Sequence, residues 1–345
     1  MSSISFPTHP VCATEKDLEM YNSYTYTAAL IFHLILAFFS IFLIILAIRK
    51  LLLESIITVS TRMFLIVGLL CCTSHQFGFI ILRIQVLYQI FFKLGDPCNL
   101  YFRTSDCKFV TFPMISGNSG MVLIQAAMTI ERIAATVMPH FWPKLKFWPG
   151  VVLSGMMLLC NYLLLDFIFW NVPFNEYVLT CGTLPSQSLP RFKEFLYLAF
   201  CISIGNMAIQ IVILYINVLQ ERRQRLVSDD QSRSFDVNER FHSRETLKST
   251  QAIFFLAMSQ FLAEFLYTVS TDIILQNKEK LSPLQSGLAL ALAYTTPYAC
   301  VAIPSLIILT LRFIKNQRLR SINTMRTQKE TGDEHMKKIQ KIWDK

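Results

Sequence analysis

The apolar residues of this chain fall into long runs separated by short polar segments. The run AALIFHLILAFFSIFLIILAI, residues 28–48, holds one histidine and no charge. It matches the roughly 20 residues that a helix needs to cross a hydrocarbon layer about 30 Å thick. At roughly −0.3 to −0.6 kcal/mol for each central Leu, Ile, Phe or Val, such a run outweighs its polar members. Seven spans can be read, at about 26–48, 63–82, 109–131, 150–170, 194–219, 250–275 and 286–311. The third is the weakest by hydropathy and contains PMISGNSG. Small and amide residues are common where membrane helices touch, so this span is expected at the inside of the bundle. The predicted fold is therefore an all-α membrane protein, a seven-transmembrane helix bundle whose odd span count puts the termini on opposite sides.

Composition and charge refine this picture. Charged residues make up 16% of the chain and hydrophobic ones 53%, against about 25% charged in soluble domains. That excludes a soluble globular protein. Basic residues gather in the loops after spans one, three and five and in the tail, among them Arg49, Lys50, Lys144, Lys146, Arg222, Arg223, Arg312 and Lys315. The other side carries fewer, including Arg83, Lys93, Arg103 and Lys108. The positive-inside rule then places the N-terminus outside and the C-terminus in the cytoplasm. On this reading residues 1–25 are an extracellular segment, 26–311 the bundle and 312–345 a cytoplasmic tail. The first 27 residues lack a basic start and a cleavable apolar core, so no removable signal peptide is expected. The net charge of +9 is accounted for by cytoplasmic ends facing anionic lipid headgroups, and a nucleic-acid partner is not needed.

The same orientation sorts the cysteines. Cys12, Cys98, Cys107 and Cys181 fall outside, where oxidation is possible, while Cys71, Cys72, Cys160, Cys201 and Cys300 fall within spans. Four outer cysteines permit three pairings. The preferred one joins Cys107 to Cys181, tying the outer end of span three to the loop between spans four and five, and leaves Cys12 for Cys98. A Cys98 to Cys107 bridge within one loop is its rival. No clustered Cys and His spacing marks a zinc site.

The segment MTIERIAATVMPH, residues 128–140, sets an adjacent Glu131 and Arg132 at the expected cytoplasmic end of span three. Cys107 lies 25 residues before Arg132, and Pro139 lies seven after it. Together these resemble the third helix and second inner loop of rhodopsin-like G-protein-coupled receptors. Other signatures of that superfamily are missing: span two has no Asp, span six has no proline, Ile133 follows the arginine, and span seven reads AIPSLIIL. Within this divergent branch the chain resembles the nematode serpentine chemoreceptors of class alpha, with class alpha/beta as the sister group. The resemblance rests on DPCNLYFRTSDC before span three, SGMVLIQAAMTIERIAATVMPHFW across it, FDVNERFHSRETLKSTQAIF entering span six, and YTTPYACVAIPSLIIL in span seven. It implies a plasma-membrane receptor of sensory neurons or their cilia that binds an external small molecule or odorant and activates a heterotrimeric G protein. No cofactor is implied.

At the inner face, neighbours on a helix point about 100° apart. Glu131 and Arg132 are thus not expected to share a partner, and Arg132 is expected to reach Glu245 near the start of span six. By the two-state account of the resembling receptors, that ion pair holds the resting state until agonist separates the helices. The polar segment between spans five and six is the expected G-protein contact. In the outer half, ionisable and polar residues are costly in lipid and are expected to face inward. The pocket candidates are His75, Gln76, Ser116, Asn118, Gln125, Asp166, Asn206, Glu264, Asp272, Tyr294 and Thr296. No phosphate loop, HExxH pair or pair of intramembrane aspartates supports an enzyme. The alternative is a seven-helix ligand-gated channel or transporter, distinguished by an N-terminus on the inside.

Overall fold

The computed structural model describes residues 12–53, 57–138, 141, 145, 147–229, 237–277, 280–327, 336 and 340, with the backbone alone over parts of the longest helices. Helices α2 (Tyr24–Leu53), α3 (Val59–Tyr88), α4 (Lys108–Val137), α5 (Trp148–Phe169), α6 (Leu189–Asp229) and α7 (Val237–Gln276) form most of the bundle. The short α1 (Glu15–Tyr21) precedes them. The last crossing is two helices in line, α8 (Pro283–Ala293) and α9 (Thr296–Thr327). Counting α8 and α9 together, seven helices are long and apolar enough to cross a membrane.

The helices are inside-out by soluble-protein standards. In α2 the buried stripe is Leu30, His33, Ala37, Ser40, Ile44, Ala47 and Leu51, alternating steps of three and four. It holds the helix's only histidine and a serine, both 0% exposed, while Phe32, Phe38, Phe39 and Phe42 are at least 50% exposed. Lipid tails solvate those rings, whereas a hydroxyl or imidazole needs a partner that only another helix can supply. Ser40 finds it in the carbonyl of Cys300 on α9, 2.8 Å away.

Helix α4 is central and α5 peripheral: 56% of the most apolar window of α4 is buried against 17% for α5. The small residues of α4 make this possible. A Cβ on Gly117 would stand 2.6 Å from the Cys71 carbonyl oxygen, and one on Gly120 2.6 Å from the Cys71 thiol. From the other side, a Cβ on Gly78 would lie 2.7 Å from the carbonyl of Val110. With these backbones almost touching, short side chains join neighbouring helices. Asn161 of α5 donates to the Ser116 hydroxyl at 3.0 Å and accepts from Ser119. Gln210 of α6 donates to Thr129 of α4 at 3.2 Å, and Asn217 of α6 to Thr250 of α7 at 3.0 Å.

Two departures from the span reading have local causes. Pro297 has no N–H to give the carbonyl one turn earlier, so the last crossing breaks at Tyr294 and Thr295. Thr295 bonds instead to the Ala263 carbonyl of α7 at 2.6 Å. Helices α6 and α7 also continue past the membrane-length segment, to Asp229 and from Val237, so most of the expected loop between them has a helical backbone. The residues there, in QERRQRL and NERFHSRETLK, are largely good helix formers.

One end of the bundle is closed by a cap. Disulfides join Cys12 to Cys98 and Cys107 to Cys181. Strand β1 (Phe102–Arg103) pairs antiparallel with β2 (Tyr177–Val178), linking the segment before α4 to the one after α5. Helix α1 opens with a capping box between Thr14 and Asp17 and ends at Tyr21, which is fully buried and donates to the Leu179 carbonyl and to Gln89. Burial, and then the neighbouring Tyr26 and Asp17, push the Tyr21 phenol well above its ordinary range, so it stays a neutral donor.

The close α3–α4 contact is testable. Gly117→Ala is expected to destabilise the protein by about 1–3 kcal/mol through overpacking, seen as a lower unfolding temperature in detergent. Gly205→Ala, where a Cβ meets nothing within 4 Å, is expected to stay within about 0.5 kcal/mol of the parent.

Candidate functional site

Helix α3 carries His75, Phe79 and Arg83 at steps of four, which stacks them on one face. The Phe79 ring is the centre of a cluster in the half of the bundle nearer the disulfides. The guanidinium carbon of Arg83 lies 4.5 Å from its centroid, Tyr294 5.6 Å, His33 of α2 5.9 Å and His75 6.0 Å. His75 Nε2 and the Tyr294 hydroxyl are 2.5 Å apart, and His33 Nε2 and the Tyr298 hydroxyl 3.1 Å. Gln76 donates to the Pro297 carbonyl at 3.4 Å. The break between α8 and α9 and the first turn of α9 therefore present Tyr294, Tyr298 and the Pro297 carbonyl to α2 and α3. Tyr267 of α7 packs edge-on against Tyr294 at 5.5 Å, with the buried Glu264 beside it.

This cluster is not fully satisfied. His33 Nδ1, His75 Nδ1, Gln76 Oε1 and Arg83 Nε are buried without hydrogen-bond partners among the described residues. Native interiors leave few such atoms, and three residues around one ring, with Gln76 on the same helix beside them, mark a place with unused polar capacity. Among the described residues no three His, Cys, Asp or Glu side chains converge as a metal site.

The remaining pocket candidates are dispersed. Ser116 is taken up by Asn161, and Asn118 lies 3.5 Å from the Thr296 hydroxyl. Gln125 lines a cavity of about 30 Å³ with Gln260, Phe64, Met121 and Ile307. That volume suits a water rather than a drug-sized ligand. Asn206 is buried with its amide nitrogen unpartnered, and Asp272 is half-buried near the end of α7. Asp166 departs from the expectation that it faces inward: it is exposed. It sits in the last turn of α5, where headgroups and water can solvate a carboxylate without help from the bundle.

Five members of the cluster were not among the sequence candidates: Phe79 at its centre, His33, Arg83, Tyr267 and Tyr298. The signal for His33 is its position as the one histidine in a charge-free run. Arg83 falls just beyond a span read as ending at 82, whereas α3 continues to Tyr88.

At the opposite end, Arg132 is 2% exposed. Its Nε donates to Glu131 at 2.6 Å, the two side chains form an ion pair, and its Nη2 donates to the Thr61 hydroxyl at 2.9 Å. The divergence expected to leave Arg132 free for another helix does not keep it from Glu131, although it does reach α3 as well. The Cα–Cβ directions do diverge, but the arginine side chain is long enough to swing its guanidinium back to the neighbouring carboxylate. Thr61 is in turn 2.8 Å from Thr58, the cap of α3. Arg132 thus docks on the start of α3, where a lone cation would oppose the helix dipole, and Glu131 offsets that charge. The side chain of Glu245, expected to hold Arg132, lies outside the described residues, as does Pro139.

Comparison with known proteins agrees with this architecture. The family model described as serpentine type 7TM GPCR chemoreceptor Sra matches residues 8–343. The chain is 62% identical to serpentine receptor class alpha-11 of Caenorhabditis briggsae over 343 residues, covering 99% of this chain and 100% of that protein. Its identity to serpentine receptor class alpha-11 of Caenorhabditis elegans is 60%, covering 98% and 99% of the two chains. With serpentine receptor class alpha-13 of Caenorhabditis elegans it is 34%, covering 96% and 97%.

The His75 to Tyr294 contact gives a direct test. Tyr294→Phe removes the partner of a fully buried imidazole nitrogen, and is expected to cost about 1–3 kcal/mol, read as a fall in unfolding temperature of the purified protein.

Proposed function

Because this chain belongs to the Sra family of serpentine chemoreceptors, we propose that it binds an external small molecule at the Phe79 cluster and activates a heterotrimeric G protein from the Arg132 end. The observation that carries the ligand site is the set of unpartnered polar atoms gathered around one aromatic ring, bordered by a broken helix. Membrane proteins keep non-helical backbone and buried polar groups where they are functional.

The orientation follows from two independent features. Both disulfides lie at the end that carries α1, and bridges persist on the oxidising side of a membrane. The excess of Arg and Lys lies at the other end, as cytoplasmic segments require. The cap is then extracellular, residues 312–345 form a cytoplasmic tail, and the receptor resides in the plasma membrane of sensory neurons or their cilia. Inside, Glu131, Arg132, Pro139 and Glu245 belong to the G-protein-facing surface, together with the extensions of α6 and α7. In the resting state Arg132 is held by Glu131 and Thr61. Releasing it frees the start of α3 from the end of α4.

Three measurements test this. Cells expressing the chain with a G-protein readout are expected to respond to a subset of a broad small-molecule panel, and a ligand that binds without any G-protein signal would sink the coupling. An N-terminal tag is expected to be labelled on intact cells; labelling only after permeabilisation would reverse the topology and favour a channel. Thr61→Val removes one hydrogen bond to Arg132, worth about 1 kcal/mol, and is expected to raise basal signalling roughly fivefold at equal surface expression.

A further inference from the structure

We propose that Arg83 is the anchor of the ligand site and that the site takes a small carboxylate with an apolar body. This deepens the receptor reading above and rests on it.

Arg83 is 8% exposed and makes no hydrogen bond or ion pair among the described residues. An arginine buried inside a membrane bundle without a counter-ion is costly, and such residues normally pair with an acid or with carbonyls. The contact that Arg83 does make is with the face of Phe79, at 4.5 Å. A cation–π contact offsets only part of the cost of taking a guanidinium out of water. Among the described residues, the ionisable groups that act most on Arg83 are Tyr26, Tyr294 and Tyr298, with His33 beside them, and none of these is a carboxylic acid. The buried acid nearby, Glu264, lies against Tyr267 and makes no ion pair with Arg83.

The other buried arginine among the described residues, Arg132, shows what is absent. Arg132 has a carboxylate at its Nε and a hydroxyl at its Nη2, while the corresponding Nε of Arg83 is orphaned. A guanidinium offers parallel donors in a fixed fork that matches the two oxygens of a carboxylate. The surroundings supply the rest of the recognition. Tyr26, Leu30, Leu82 and Val86 belong to one buried apolar cluster with Phe79, the ring that Arg83 covers, and Tyr294 packs against it as the wall of the site. A carboxylate bearing an alkyl or aromatic body would complete the charge and bury its body on that wall. The non-helical step at Tyr294 and Thr295 borders the same place and gives the wall a point at which to yield.

The test uses the full chain, purified into nanodiscs of phosphatidylcholine alone, with thermal unfolding as the readout, so it does not depend on any G protein. The probes are straight-chain carboxylates of four to ten carbons and phenyl-substituted acids, each beside its methyl ester. At least one acid is expected to raise the unfolding temperature saturably while its ester does not. Arg83→Met is expected to abolish that rise, and Arg83→Lys, which keeps the charge without the fork, to weaken it about tenfold. Without ligand, Arg83→Met is expected to unfold at or above the parent's temperature, since an uncompensated buried charge has gone. Should Arg83→Met fail to fold, a structural role is shown and the proposal falls. Acids and esters acting alike, a panel without an active acid, or an acid response that survives in Arg83→Met would each overturn it. Replacing part of the lipid with phosphatidylglycerol separates the sources. If the anionic headgroup alone reproduces the stabilisation and removes the response to free acids, Arg83 is a lipid site and the soluble-ligand assignment is wrong. A receptor that signals through a G protein to uncharged odorants only would overturn this inference and leave the receptor function standing.

Discussion

Hydrocarbon cannot hydrogen-bond, and nearly every feature of this molecule follows from that constraint. It explains why α2 turns its most apolar residues outward and keeps His33 and Ser40 against other helices. It explains why the broken crossing sets Tyr294, Tyr298 and the Pro297 carbonyl against partners on α2 and α3, and gives the Thr295 hydroxyl to the Ala263 carbonyl of α7. Asp166 tests the rule at its edge. In the last turn of α5 it is within reach of the interface and needs no protein partner, so it is free to face outward.

Polar bonding of this kind works only when backbones come close. At the α3–α4 contact, Gly117 and Gly120 let Cys71 and His75 approach α4, and Gly78 lets Val110 and Met114 approach α3, at distances that any side chain would forbid. The same contact sets His75 deep enough to meet Tyr294 and brings Phe79 and Arg83 to the same face one and two turns further on. At the other end of α3, Thr61 receives Arg132 from α4. One tightly packed helix pair therefore carries the Phe79 cluster at one end and a charge contact at the other. That is a physical route by which a change at one end can bias the other, since a rigid helix moves as a unit.

The two buried arginines divide the labour. Arg132 is neutralised within its own helix and anchored to Thr61 in the first turn of α3. Arg83 has an aromatic face but no acid, an arrangement in which binding energy is gained by supplying one. The cap of α1, the β1–β2 pair and the disulfides holds the segments above this cluster in place without contributing acidic groups to it.

Long charge-free runs and the clustering of Arg and Lys were sufficient by themselves to specify seven membrane helices, because one-dimensional hydropathy reports directly on what a bilayer admits. The motif around Glu131 and Arg132, with Cys107 and the segments entering spans six and seven, was likewise sufficient to indicate the Sra family before any coordinates. Side-chain partnership was not legible in the same way. Helical directions argued that Glu131 and Arg132 diverge, but a flexible arginine closes the gap once both are buried and no water competes. Eleven polar residues looked equally able to line a pocket, yet of these His75 and Tyr294 meet at the Phe79 ring, and they do so with His33 and Arg83, whose importance depends on which helix each faces. That choice is made by interhelical packing, where a glycine 40 residues away decides how near two backbones come, and no local pattern records it.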